Sequence, residues 1–217
     1  MAGRDHLPPL GIFPLGTTND FARALGISKN WEEYCDLVIR GETRAIDVGK
    51  ANDRYFINIA GGGTLTELTY EVPSKLKTMI GQLAYYLKGI EKMVSLAPQE
   101  LIIRANGKNV IHDEFMLFLI ANSNSVGGFD KLAPGASMDD GQFDVIALRK
   151  CNLAELVRVA TLALRGEHIH DKRVLHFRTD YMEVTSPGQV QLNLDGEYGG
   201  VLPGTFRILP QHLRIFG

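Results

Sequence analysis

The hydrophobic and polar positions divide the chain into a short first part with helical periodicity and a longer part dominated by short strands. Residues 10–13 are apolar and end in a proline–glycine turn, which predicts a strand leading into a helix over residues 21–25. The pattern of residues 31–40 predicts a second amphipathic helix that ends at Gly41. A strand followed by a turn and a helix is typical of a parallel sheet, yet no further units of this kind accompany it.

From about residue 43 the pattern changes to short apolar segments separated by turn residues. The pair Asn106–Gly107 predicts a two-residue hairpin, and the three glycines at 61–63 predict a break. Helical periodicity is found in residues 65–72, 81–95 and 153–164. Strands are predicted over residues 44–48, 55–59, 101–105, 108–112, 115–121, 143–148, 174–178, 182–185, 190–195, 205–209 and 213–216. Many short strands at close spacing predict an α+β fold, a mostly antiparallel β-sandwich with attached helices behind the first strand–turn–helix unit.

Composition and charge narrow the classes of function. The 217 residues are 45% hydrophobic and 22% charged, as in an ordinary globular protein. A net charge of −2 gives no overall basic field, so no nucleic-acid partner is predicted. Cys35 and Cys151 lack metal-ligand spacing and are interpreted as reduced thiols of a cytoplasmic protein. The first ten residues lack the apolar segment of a signal peptide, and the longest apolar run, residues 115–121, is too short to span a bilayer.

Three stretches have residue types suited to chemistry. The first is PLGTTND, residues 14–20, where a glycine turn enters a helix and offers free N–H groups and hydroxyls to a phosphate. A capped turn that binds nothing explains the same residues.

The second stretch is VGGFDKLAPGASMDDGQFDV, residues 126–145. Asp139, Asp140 and Asp144 supply hard oxygen ligands, and Gly141 allows a sharp bend, a combination that suits Mg²⁺. The alternative is an acidic turn before a strand, since Asp-Gly is a favoured turn pair.

The third stretch is QLNLDGEYGG, residues 191–200. An alternating strand runs into Asp195–Gly196, so Glu197 is predicted at a strand end on a loop tip, where a carboxylate can act as a general base. An exposed glutamate beside a turn is the other interpretation.

Together and in this order, the three stretches resemble the diacylglycerol kinase catalytic family, in particular its soluble bacterial branch, with sphingosine kinases as more distant relatives. PLGTTNDFAR is similar to the family motif P-x-G-T-x-N-D-x-A-R at every defined position, while PGASMDDG and LDGEYGG are similar to its acidic segment and its late motif. The resemblance covers essentially the whole chain.

The resemblance implies an ATP-dependent lipid kinase that phosphorylates the hydroxyl of diacylglycerol to give phosphatidic acid. It implies that Thr17 contacts the nucleotide, that Asp140 binds Mg²⁺ together with the backbone carbonyls of Ser137 and Gln142, and that Glu197 is the general base. It also implies that residues 1–42 are the remnant of an α/β nucleotide-binding domain and residues 43–217 the β-sandwich second domain. Diacylglycerol, or a related lipid at a membrane surface to which a cytoplasmic protein attaches peripherally, is the implied partner.

One family motif is missing. The glycine-rich G-G-D-G-T should precede PLGT by a few tens of residues, and only MAGRDHLPPLGIF stands before it. The expectation is therefore a kinase truncated at its N-terminus and inactive as it stands, with residues 10–25 deprived of their sheet partners. Three alternatives stay open: a non-catalytic module that binds lipid, one that forms a homodimer, and a kinase for another substrate such as a sphingoid base, a different lipid or NAD.

Overall fold

The computed structural model describes residues 8–16, 19–63, 98–107, 109–125 and 131–217. Helices α1, α2 and α3 span Asp20–Ala24, Trp31–Arg40 and Leu153–Ala163, and a 3₁₀ turn spans His168–His170. Strands β1 to β11 span, in order, Thr43–Ala51, Arg54–Phe56, Ile59–Gly62, Gln99–Ala105, Asn109–Ala121, Phe143–Arg149, Val174–Thr179, Tyr181–Thr185, Gln191–Leu194, Glu197–Val201 and Gly204–Phe216.

Strand β5 joins two groups of strands into one continuous hydrogen-bonded system. Its first half pairs with β4, and the order continues through β8, β11 and β1 to β2. Its second half pairs with β3 on one side and β6 on the other, so that β10, β9, β3, β5, β6 and β7 form the second group. Every described strand pair is antiparallel, which confirms the predicted antiparallel architecture.

The main core takes its side chains from both groups of strands. Phe118 and Phe206 meet edge to face with ring centroids 6.2 Å apart, and both are fully buried. Helix α3 covers a different surface, where its Leu156 and Val159 pack with Ile146 of β6. The cap of α3 is local: Asn152 and Glu155 form a reciprocal capping box. These contacts make the strands a rigid support for the loops at their ends.

The first described residues are attached to the end of β11. Leu10 forms a parallel bridge with Ile215, with hydrogen bonds from Leu10 N to Arg214 O (2.9 Å) and from Phe216 N to Leu10 O (3.0 Å). The buried Tyr34 hydroxyl accepts a hydrogen bond from Ile12 N at 2.7 Å. The expectation that residues 10–25 have no sheet partner is therefore wrong at Leu10, and the predicted strand is reduced to this one bridge.

Local sequence signals predicted several elements correctly. Helix α2 has the predicted bounds and ends at Gly41, whose φ is +70°. The Asn106–Gly107 turn joins β4 to β5 with φ values of +49° and +67°, the left-handed conformation that such hairpins require. The predicted helices at residues 65–72 and 81–95 lie outside the described residues.

Several predictions of strand limits were wrong. The glycines 61 and 62 belong to β3 and do not break it. At Gly62 a Cβ would lie 2.6 Å from the Phe118 ring, so this close approach requires glycine there. Two pairs of predicted strands are single strands, β5 and β11, each with an irregular register in the middle. Strand β10 was not predicted, since its EYGGV sequence lacks apolar alternation. Within the described residues, none of the helices is both long and apolar enough to cross a membrane.

Candidate functional site

The candidate site lies where one end of the second strand group meets the first helix. Ile59 of β3, Ala121 of β5 and Asp144 of β6 are directly paired across the sheet. Asp195 extends this row, because its N–H donates to Ile59 O at 2.9 Å. One end of this strand group therefore contains the ends of β5 and β9 and the starts of β3, β6 and β10. This row of strand ends is called here the site edge. From Asp195 to Asp144 it spans three strand spacings, roughly 14 Å.

Asp195 fixes the hairpin between β9 and β10. Its backbone is left-handed, with φ +52°, and its carboxylate accepts three hydrogen bonds from the consecutive N–H groups of Ile57 (2.6 Å), Asn58 (2.9 Å) and Ile59 (2.8 Å). Carboxylates bound by several amides are strong anchors, because each hydrogen bond is charge-assisted. The segment between β2 and β3 thus holds the turn that precedes Glu197.

Glu197 is the first residue of β10, opposite Leu194 of β9, and its side chain is exposed at the site edge. The neighbouring Tyr198 O accepts a hydrogen bond from Arg54 Nη1 at 2.7 Å, which connects β10 to the start of β2. The sequence predicted Glu197 on a loop tip after a strand; the structure instead makes it the first residue of β10, beside the tight turn and exposed to solvent.

A chain of polar side chains connects this hairpin to the first helix. Ser123 Oγ donates to Asn58 Oδ1, and Asn58 Nδ2 donates to Ser125 O at 3.3 Å. Ser125 Oγ then donates to Asp20 Oδ1 at 3.1 Å. Ser123 and Ser125 are buried, and so is Asn122, whose Nδ2 donates to the carbonyls of Asp47 and Ile57 at 3.0 and 2.7 Å. Sequence reasoning missed these residues; a polar run, NSNS, directly after an apolar strand was the signal that could have found them.

The glycine turn of PLGTTND is closed by Asn19. Its Oδ1 accepts from Gly16 N and its Nδ2 donates to Gly16 O, both at 2.7 Å, while φ at Asn19 is +49°. The side chain therefore closes the turn rather than capping the N–H groups of α1. Thr17, the predicted nucleotide contact, lies outside the described residues. The helix predicted over residues 21–25 is present as α1, Asp20–Ala24, and begins one residue earlier than predicted.

A buried carboxylate, that of Asp47, binds the backbone of the acidic turn that precedes β6. Asp47 is fully buried in β1, and its two oxygens accept from Gly141 N and Gln211 N, each at 2.7 Å. Its own N–H donates to Met138 O at 2.6 Å. The sequence offered no sign of this role, because Asp47 is 94 residues from Gly141 along the chain.

Asp140 lies in this turn with both of its oxygens engaged. Oδ1 accepts from Gln142 N at 2.9 Å, and Oδ2 forms an ion pair with the guanidinium of Arg178. Ser137, the other predicted ligand residue, donates its hydroxyl to Asp139. Within the part of the chain that the structure describes, no group of three or more His, Cys, Asp or Glu side chains is arranged to hold a metal ion.

Asp144 is a second carboxylate near Arg178, which also contacts Asp140. It is fully buried; its Oδ1 lies 2.8 Å from His176 Nε2, and its Oδ2 lies 3.3 Å from Arg178 Nε without a hydrogen bond to any described residue. A buried carboxylate oxygen without a hydrogen bond is costly unless a positive charge is near. Carboxylate oxygens are the donor type that a divalent cation prefers, and Arg178 lies beside both carboxylates.

A cavity of about 210 Å³ separates the acidic turn from the first helix. Among the residues that line it are Leu25 after α1, Arg44 of β1, Asn124 after β5, and Ser137 and Asp139 of the turn. Arg44 closes one side by donating to Leu25 O. The end of α1 and the acidic segment thus face one shared space.

Comparisons with known proteins agree on one family. Residues 67–217 match the family described as the YegS C-terminal NAD kinase beta sandwich-like domain, and residues 1–51 match the diacylglycerol kinase catalytic domain. A diacylglycerol kinase of Bacillus subtilis is 56% identical over 216 residues, which cover 99% of this chain and 71% of the relative. A diacylglycerol kinase of Staphylococcus aureus is 44% identical, with 100% of this chain and 68% of the relative covered. The crystal structure of a diacylglycerol kinase from Bacillus anthracis matches with a TM-score of 0.75 and 25% identity, over 96% of this chain and 68% of that one.

Proposed function

Because the chain belongs to the diacylglycerol kinase family, we propose that it serves the ATP-dependent transfer of a phosphoryl group to the hydroxyl of diacylglycerol, which yields phosphatidic acid and ADP. One observation supports this most strongly: the hydrogen-bonded chain from Asp195 through Asn58 and Ser125 to Asp20 joins two of the three motif segments at one edge. Motifs far apart in sequence need a shared reason to converge, and a single active site supplies one.

In the proposed reaction Glu197 is the general base. Its carboxylate accepts the proton of the lipid hydroxyl while the hydroxyl oxygen bonds to the γ-phosphorus of ATP. The bond from that phosphorus to the β–γ bridging oxygen breaks, and ADP leaves. The position of Glu197 at the start of β10, beside a turn held by three amides to Asp195, is suited to a base that must stay in place while its carboxylate is open to a substrate.

The nucleotide is proposed to bind beside α1, with Thr17 among its contacts, and Mg²⁺ to be held by the Asp140 carboxylate and the carbonyls of Ser137 and Gln142. When bound, the ion neutralises charge on the transferring phosphoryl group. Asp47 keeps the backbone of this turn in place from the interior through its bond to Gly141 N.

The proposal extends to the domain organisation and the surroundings. Residues 1–42 are proposed to belong to the nucleotide-binding α/β domain and residues 43–217 to form the second domain. The substrate is a membrane lipid, so the protein is proposed to work in the cytoplasm with peripheral attachment to the membrane, in phospholipid metabolism.

The 217 residues contain no G-G-D-G-T motif, so we expect them to show little turnover on their own. A chimera that adds the part of the B. subtilis relative that this chain does not span should be active, given 56% identity over the shared part. Transfer of labelled phosphate from ATP to diacylglycerol measures both. Turnover by the chain alone that equals the chimera would contradict the expectation, and an inactive but folded chimera would contradict the proposed function.

In that chimera, Glu197→Gln should abolish transfer without unfolding the protein, because the amide cannot take the proton. Glu100→Gln is the matched control: it is also an exposed strand glutamate, but it pairs with Glu114, seven positions before Ala121 on β5, about 24 Å from the site edge. Retained activity in Glu197→Gln would remove Glu197 from the role of base. Asp140→Asn should instead raise the Mg²⁺ concentration that half-maximal activity needs, which separates the metal role from the base role.

A further inference from the structure

Arg178 lies between the two carboxylates of the acidic turn. Its Nη2 pairs with Asp140 Oδ2, and its Nε lies 3.3 Å from Asp144 Oδ2. We infer that Arg178 is a built-in competitor for the divalent cation: the guanidinium pairs with the carboxylates when no ion is bound and has to leave Asp140 when the ion binds. This inference rests on the metal role that the proposed function gives to Asp140.

The charges around the turn explain why it needs a resident cation. Asp139 and Asp140 lie in the turn, Asp47 contacts its Gly141 N–H, and Asp144 is the second residue of the strand after it. Asp47 and Asp144 are fully buried, and Asp144 Oδ2 has no hydrogen bond from the described part of the chain. Carboxylates this close together repel each other, and burial strengthens the repulsion because water no longer screens it. Arg178 contacts two of the four, Asp140 and Asp144, and so lowers this cost.

The contact between Arg178 and Asp140 should lower the affinity of the turn for a divalent ion. A divalent ion on Asp140 would bind a carboxylate that already contacts Arg178 through Oδ2, and two positive groups on one carboxylate repel each other. Arg178 must therefore turn away, and the observed affinity for the ion is the intrinsic affinity reduced by the cost of releasing the guanidinium.

The structure provides a place for the released side chain. The Arg178 side chain is 40% exposed, so it can move without opening the core. It lines a second cavity of about 260 Å³ together with Asn106, Gly141, Gln142, Thr179 and Asp180. Asp180 is an exposed carboxylate and is suited to receive the guanidinium once Asp140 holds the ion.

The test is a titration of the full 217-residue chain with Mn²⁺, in which the electron paramagnetic resonance signal of the free ion measures binding. Arg178→Gln should bind Mn²⁺ at least tenfold more tightly than the unchanged chain, since the competing charge is gone. The Mn²⁺ affinity of Arg178→Lys should lie between those of Arg178→Gln and the unchanged chain, because an ammonium group keeps the charge without the planar guanidinium. The matched control is Arg149→Gln: Arg149 Nε pairs with Asp113 Oδ2 at 2.9 Å at the far end of β6, and its removal should leave the affinity unchanged.

The outcomes separate this inference from the proposed function. Unchanged or weaker Mn²⁺ binding in Arg178→Gln overturns the inference. If that variant does not fold, an Mn²⁺ affinity of Arg178→Lys equal to that of the unchanged chain also overturns it. If Asp140→Asn abolishes Mn²⁺ binding while both Arg178 variants leave it unchanged, the metal role stands and only the competition is wrong. If Asp140→Asn leaves Mn²⁺ binding intact, the turn is not the metal site and both ideas fail.

Discussion

The hydroxyl of Ser125 donates a hydrogen bond of 3.1 Å to the carboxylate of Asp20, and this bond joins the end of β5 to the first helix. Ser125 is buried, and the Asp20 side chain is only 14% exposed, so water competes weakly for the bond. Helix α1 has five residues and is too short to be stable by itself. Its position beside the site edge therefore depends on such contacts.

Ser125→Ala should consequently loosen α1. A hydrogen bond to a charged group contributes about 1.5–3 kcal/mol, so we expect the free energy of unfolding to fall by about that amount and the KM for ATP of the chimera to rise. Urea denaturation and steady-state kinetics measure the two effects. Ser186→Ala, which removes an exposed hydroxyl that accepts from Gly188 N, is the control and should change neither. An unaltered KM in Ser125→Ala would show that α1 is positioned by other contacts.

Asp195→Asn should weaken the hairpin that carries Glu197. Asparagine tolerates the left-handed backbone at this position, so the substitution tests the carboxylate alone. One of its two terminal groups is an N–H donor and would face the amides of residues 57–59. We expect a loss of about 1–3 kcal/mol in the free energy of unfolding, measured by urea denaturation. Asp53→Asn, in the exposed turn between β1 and β2, should cost much less; equal losses would refute the anchoring role.

The stability of the protein should fall in mild acid because of His168. Burial lowers the pKa of His168 below its usual 6.5; its bond to Leu132 O opposes this, and the nearby His176 and His170 add to the decrease. Protonation therefore favours the unfolded chain. The contribution of the neutral ring to stability is complete above pH 6.5 and is lost as the pH falls from 6.5 towards the pKa of the folded protein.

His168→Gln checks this prediction, because glutamine can keep the donor to Leu132 O but does not titrate. Urea denaturation at about pH 7.5 and about pH 5, on either side of the ordinary histidine pKa, should show a larger acid loss in the unchanged protein than in His168→Gln. His212→Gln, in β11 where the ring stacks on Tyr55, is the control for removing a histidine. The same acid loss in the unchanged protein and in His168→Gln would be the contrary result.

Tyr34→Phe should release the segment around residue 12. The Tyr34 hydroxyl is the acceptor for Ile12 N, and the phenylalanine ring keeps the packing against Phe13, whose centroid is 5.2 Å away. Amide hydrogen exchange at Ile12 should become at least tenfold faster, while amides of the core strand β4 should not change. If exchange at Ile12 keeps its rate, the bond to Tyr34 does not limit opening of this segment.

What the sequence predicted well was local. The Asn106–Gly107 hairpin, the bounds of α2 and the antiparallel pattern depend on a few adjacent residues, and all appear in the structure. The three motif segments were also recognisable, because a motif is a local string. The failed prediction at β3 depends on a distant contact: the strand contains Gly61 and Gly62, and the Phe118 ring, more than fifty residues away, packs directly on Gly62.

By itself, the sequence determined the alternation of buried and exposed positions, the turns and the family, since each of these is encoded in neighbouring residues or in their order. Only the tertiary structure decided that Asp47 supports the acidic turn from 94 residues away, that Asn58 and Ser125 connect Asp195 to Asp20, and that Arg178 sits on Asp140. Such contacts depend on which strands become neighbours in the sheet. The packing of the whole core sets that arrangement, and no local pattern of residues records it.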